Sequence, residues 1–190
     1  MKYSVTALIL LLPVLFACNS KKKQKEANAF KSAVVEDETQ NTDDWELVWS
    51  DEFDYTGLPD SSKWSYDVGG HGWGNNEKQY YTEADSDNAK VEDGVLKITA
   101  SQEKMDDNFY TSARLVTKNK GDWKYGKVEV SAKLPQGRGL WPAIWMLPTD
   151  WEYGGWPDSG EIDIMEHVGY NPDSIFQTVH TKSFNHTLGT

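Results

Sequence analysis

The sequence predicts that residues 44–190 form an all-β, two-sheet antiparallel sandwich. Short runs in which apolar and polar residues alternate recur along this segment, and turn-forming clusters separate them at close spacing. No stretch offers a sustained amphipathic helix. Many short strands with frequent turns favour a sandwich over a layered α/β arrangement.

The elements follow in chain order. WELVW, residues 45–49, is apolar enough for a strand buried on both faces. Residues 66–89 form the longest loop. VLKITAS, 95–101, sets Leu96, Ile98 and Ala100 on one face, directly after an Asp93-Gly94 turn signal. YTSARLVTK, 110–118, and FQTVHTK, 176–182, alternate less cleanly. KVEVSAKL, 127–134, alternates strictly and predicts a half-buried strand with Val128, Val130, Ala132 and Leu134 inward. LWPAIWML, 140–147, reads as a strand buried on both faces, and a loop rich in Trp, Gly and Pro follows it. The chain ends at NHTLGT without a closing element, so the domain reads as C-terminally truncated.

Between that loop and the last strand lies GEIDIME, where Glu161, Asp163 and Glu166 interrupt an apolar run. Ionised carboxylates are costly to bury without compensation. In a regular strand Glu161 and Asp163 share one face and Ile162 and Ile164 point into the core, but Glu166 falls on the core face. A β-bulge at Ile164-Met165 returns Glu166 to the other acids. Glu161 and Glu166 are then roughly 13 Å apart at Cα, and their side chains can close to about 5–6 Å, the spacing of a retaining glycosidase. Two carboxyls this close predict a raised apparent pKa for one of the pair. Taken alone, the pattern also suits a calcium site or a solvated strand face.

Composition narrows the partners. Outside residues 1–43 the chain carries 13 basic residues against 25 acidic ones, a charge of −12. That disfavours nucleic acid and sulfated polymers. All nine Trp lie in the same segment, more than a core alone needs. At the other end, Lys2 precedes an apolar run too short to span a bilayer as a permanent helix. The run closes on Leu15-Phe16-Ala17-Cys18, which resembles the lipobox of bacterial lipoproteins. The resemblance implies that residues 1–18 are a lipoprotein signal peptide and Cys18 is acylated; a plain signal peptide containing a cysteine is the alternative. Cys18 is the only cysteine, so no intramolecular disulfide forms. Residues 19–43 are too polar to fold and read as a tether.

WPDSGEIDIMEHVGY closely resembles the catalytic segment of glycoside hydrolase family sixteen in its bulged, laminarinase-like form. ELVWSDEF, GWGNNEKQYYT, DGVLKITA, TSARLVTK, YGKVEVSAKLP, GLWPAIWMLP and VHTKSFNH extend the likeness in the same order along most of residues 44–190. The resemblance implies a concanavalin-like jelly roll with a cleft for polysaccharide, and a retaining endo-hydrolase of β-1,3- or mixed β-1,3/1,4-glucans such as laminarin. It implies Glu161 as nucleophile, Glu166 as general acid/base and Asp163 as their assistant. Trp141 and Trp145 would line the cleft, with core packing as the alternative. Asn76 and Arg114 would hydrogen-bond sugar hydroxyls, although Arg114 equally suits an ordinary salt bridge. Trp73 would cap one end of the cleft and His180 would reach the acids from a neighbouring strand, while His167 and His186 read as structural. No cofactor is required, but Glu52 and the Gly94 carbonyl match part of a structural calcium site. The expected protein is a monomeric, membrane-anchored, extracytoplasmic enzyme. The rivals are an agar- or carrageenan-type galactan hydrolase of the same family and a non-catalytic glycan-binding sandwich.

Overall fold

The computed structural model describes residues 45–189, and the expected signal peptide, Cys18 and the whole tether lie outside them. The described residues form nine short strands and one 3₁₀ turn, His186–Leu188. The strands are β1 (Ser65–Tyr66), β2 (Gln79–Tyr81), β3 (Ala89–Glu92), β4 (Val95–Ile98), β5 (Tyr110–Ser112), β6 (Leu115–Val116), β7 (Ala143–Met146), β8 (Glu161–Glu166) and β9 (Phe176–His180). Residues 49–128 and 134–189 form one compact unit, and every strand lies in it.

β3 and β4 make the hairpin that the Asp-Gly signal predicts. Asp93 and Gly94 both adopt positive φ, 56° and 73°, as a tight turn matched to strand twist requires. β1 pairs antiparallel with β6, whereas β2 and β5 pair in parallel. The parallel pair departs from the antiparallel expectation; the long segment between β2 and β5, which contains the β3–β4 hairpin, gives the chain room for that crossover. Ala89 and Val91 are fully buried, and a polar chain ties the surrounding strands. Thr82 donates to Asn88 at 2.8 Å, and the Asn88 amide donates to the Thr111 hydroxyl at 3.1 Å and the Thr99 carbonyl at 3.2 Å. Because these groups are buried, each bond also removes the cost of an unpaired polar atom. Near the start of the unit Trp49 packs edge-on against Trp64 and Trp123, and Asp51 accepts from the Trp64 indole at 2.8 Å. Three of the nine Trp therefore serve packing.

β7, β8 and β9 form a three-stranded antiparallel sheet. Residues 45–49 carry no strand, and Leu47 and Val48 are exposed. Residues 127–134 also carry none, with Val130 55% exposed, because alternation marks which face would be buried and does not by itself set up a ladder. β7 is shorter than predicted and Trp141, just before it, is 65% exposed rather than buried. Ile162, expected in the core, is 48% exposed, and Ile164 is half-buried. Both line a groove with Val128, Met146 and Val179.

Candidate active site

The site is built on β8. Across from β7, Ala143 pairs with Glu166, Ile144 with Met165, and Trp145 with Asp163. Ile164 has no partner in that register, and the β8–β9 ladder slips by one residue between Asp163 and Glu166 as well. This is the bulge that the sequence requires. It carries Glu161, Asp163 and Glu166 to one face of the sheet, because the side-chain period of two resumes one residue late.

Each acid has a partner from a neighbouring element. The Trp156 indole donates to Glu161 at 2.6 Å, and the Trp141 indole donates to Glu166 at 3.0 Å. His180, directly across the β8–β9 ladder from Glu161, brings Nε2 to 3.3 Å from the Asp163 carboxylate. Glu161, Asp163 and His180 offer oxygen and nitrogen atoms within 4.8 Å of one another; among the described residues no other histidine, cysteine or carboxylate group of three lies so close. Asp163 is buried between β7 and β9. Burial, then the neighbouring charge of Glu161 and a hydrogen bond with it, push the Asp163 carboxyl up to about 6, against the pull of His180. A protonated Asp163 can donate to Glu161.

A second cluster lies beside the acids. The Arg114 guanidinium carbon is 4.4 Å from the Trp73 ring centroid and 4.5 Å from that of Trp145. Arg114 Nε also donates to Asp67 at 2.9 Å, so the salt-bridge alternative is realised, with Asp67. Trp73 adopts φ 47° and anchors its indole on the Gly69 carbonyl at 3.0 Å. Asn76 is exposed in the same loop, at φ 55°, a conformation that asparagine tolerates better than most residues.

Two residues in the site have no expected role in it from sequence. Trp156 is five residues before Glu161, a spacing with no periodic signal. His186, read as structural, packs its ring 5.0 Å from Trp156 and 5.2 Å from His180. It is placed by the buried Asn185, which caps the 3₁₀ turn. His167 fits its structural reading: it is buried, with Nδ1 3.0 Å from the Ser174 carbonyl. Glu52 is exposed, and Gly94 sits in the β3–β4 turn. A carboxylate and one carbonyl fall short of the about six to eight oxygens that calcium takes, so this pair alone does not make a calcium site.

Comparison with known proteins places these features. A family model described as beta-glucan synthesis-associated protein SKN1/KRE6/Sbg1 matches residues 4–152, a span that stops before β8. A beta-glucanase of Rhodothermus marinus is 58% identical over 178 residues, covering 89% of this chain and 62% of that protein. The solved laminarinase from Rhodothermus marinus superposes with a TM-score of 0.75 at 65% identity, over 77% of this chain and 59% of that one. A solved non-specific endo-beta-1,3(4)-glucanase from family GH16 gives 0.72 at 47% identity, over 78% and 57%. The chain thus spans about three fifths of the length of these relatives. Its fold is theirs, an all-β, two-sheet jelly roll.

Proposed function

The chain belongs to the SKN1/KRE6/Sbg1 family of beta-glucan synthesis-associated proteins and to the laminarinase-like glycoside hydrolases of family sixteen, and on that premise we propose that it hydrolyses internal bonds of β-1,3- or mixed β-1,3/1,4-glucans with retention of configuration. The observation that carries this reading is the bulge in β8, which gathers Glu161, Asp163 and Glu166 on one face with an indole N–H on each glutamate. The family model describes synthesis, but its match ends before the acids, so it bears on the scaffold more than on the chemistry.

In the first step Glu161 attacks the anomeric carbon while Glu166 gives its proton to the departing glycosidic oxygen. The product is a glycosyl ester on Glu161. In the second step Glu166 takes a proton from water, the resulting oxygen attacks the anomeric carbon, and the bond from that carbon to Glu161 breaks so that Glu161 leaves as a carboxylate. Asp163 holds a proton against Glu161 and His180 holds Asp163. Trp156 and Trp141 fix the rotamers of the two glutamates. The exposed face of Trp141 offers a platform for a glucose ring, and Arg114, Trp145, Trp73 and Asn76 bound the cleft beside it. The acidic surface suits a neutral polymer. Calcium at Glu52 and Gly94 would require further ligands and enters no step. Upstream, acylated Cys18 and the tether would hold a monomeric enzyme at the outside of a membrane.

The test is release of reducing ends from laminarin and from a mixed-linkage glucan, with the first-formed anomer read by NMR. The parent is expected to release the β-anomer first, and Glu161→Gln to release nothing measurable. An α-anomer from the parent would exclude retention, and ordinary turnover by Glu161→Gln would remove it as nucleophile.

A further inference from the structure

The Trp73–Arg114–Trp145 stack needs something to hold its middle member. An arginine stem rotates freely, and attraction between a guanidinium and an indole face sets distance better than orientation. Asp67 supplies the orientation. It follows β1, and its N–H donates to the Arg114 carbonyl at 2.9 Å, one step beyond the Tyr66–Leu115 pair of the β1–β6 ladder. Its carboxylate then accepts from Arg114 Nε at 2.9 Å. Backbone and side chain of the same two residues are thus joined, which leaves the guanidinium plane little freedom.

The orientation matters because the two indoles come from different places. Trp145 stands on β7 opposite Asp163, next to the acids. Trp73 belongs to a loop in which Gly72, Trp73, Gly74 and Asn76 all take positive φ, a backbone with no strand ladder to steady it. The guanidinium is the bridge between them. The side chain of Asp67 is bonded to Arg114 and to none of the three acids, so its influence falls on the wall of the cleft and not on bond cleavage. The Arg114 side chain is 15% exposed and that of Asp67 38%, so the pair is partly shielded from water.

We propose that Asp67 is a positioning residue for glucan binding: by fixing Arg114 between Trp73 and Trp145 it makes the loop and the acidic sheet one aromatic wall. This rests on the β-glucanase reading above. A residue that merely linked β1 to β6 would change stability alone.

The experiment uses the full chain and compares Asp67→Asn, Asp67→Glu and Arg114→Lys with the parent. KM and kcat on laminarin are measured, together with retardation in laminarin-containing native gels in a Glu161→Gln background. Asp67→Asn is expected to raise KM about five-fold with kcat within about two-fold, in proportion to a partly exposed ion pair. Asp67→Glu should recover most of the loss. Arg114→Lys keeps the charge but not the planar group, and should weaken retardation at least as much. If Asp67→Asn does not fold, Arg114→Lys and Asp67→Glu carry the comparison. Unchanged KM and retardation in folded variants would overturn the inference while leaving the hydrolase reading intact. A parent that is retarded but releases no sugar would sink the hydrolase reading, and the Asp67 comparison would still be decided by retardation. A parent neither retarded nor active overturns both.

Discussion

Asp163 sits where burial and charge conflict most sharply. Its carboxyl is raised to about 6 from an ordinary 3.8, so the folded protein holds that proton more tightly than the unfolded chain. Stability from this source is fully present below about pH 4 and is lost as pH rises through about 6. Asp163→Asn carries no titrating group, so its melting temperature should fall less than the parent's between pH 4 and pH 7. Equal slopes for the two proteins would show that Asp163 is not the group responsible. At this scale the acids themselves are legible in the sequence, since three carboxylates in an apolar run demand a reason. Trp156 and His186 are not. The bond of Trp156 to Glu161 and the packing of His186 against Trp156 arise from a loop and a 3₁₀ turn, where spacing carries no periodic signal.

β8 is governed by parity. The bulge adds one residue, and one residue is what moves Glu166 from the core face to the face of Glu161 and Asp163. Deleting Ile164 alone restores a regular E-I-D-M-E strand that still aligns the three acids, so turnover of laminarin should remain measurable. Deleting Ile164 and Met165 together turns Glu166 inward and should remove the about hundred- to ten-thousand-fold that a positioned general acid contributes. Loss in both deletions, with both proteins folded, would mean that the bulge matters for more than alignment. The β3–β4 hairpin is equally legible, because an Asp-Gly pair at positive φ specifies its own turn. WELVW and KVEVSAKL mislead for a common reason. Their patterns state which face wants burial, and a strand forms only if another segment supplies the ladder.

For the whole molecule, charge and attachment set the setting in which the site works. A net charge of −11 spreads acidic surface over a protein whose proposed polymer is neutral. The proposed anchor at Cys18 is tested by feeding cells an alkyne-bearing fatty acid. The full-length protein should take up the label and remain with membranes, and Cys18→Ser should lose the label. Unlabelled wild-type protein in the membrane-free fraction would reduce residues 1–18 to an ordinary signal peptide. Among the described residues no helix is long and apolar enough to cross a membrane.

The amino-acid sequence by itself determined the all-β class, the hairpin at Asp93-Gly94 and the bulge that aligns Glu161, Asp163 and Glu166. Each follows from a local rule: side chains alternate along a strand, and certain residue pairs make certain turns. Tertiary structure alone decided which carboxyl is raised, which indole meets which glutamate, and that Arg114 lies between Trp73 and Trp145 with Asp67 holding it. Those outcomes depend on distances between segments remote in sequence. Burial and electrostatic coupling act through space, and one-dimensional spacing does not encode them.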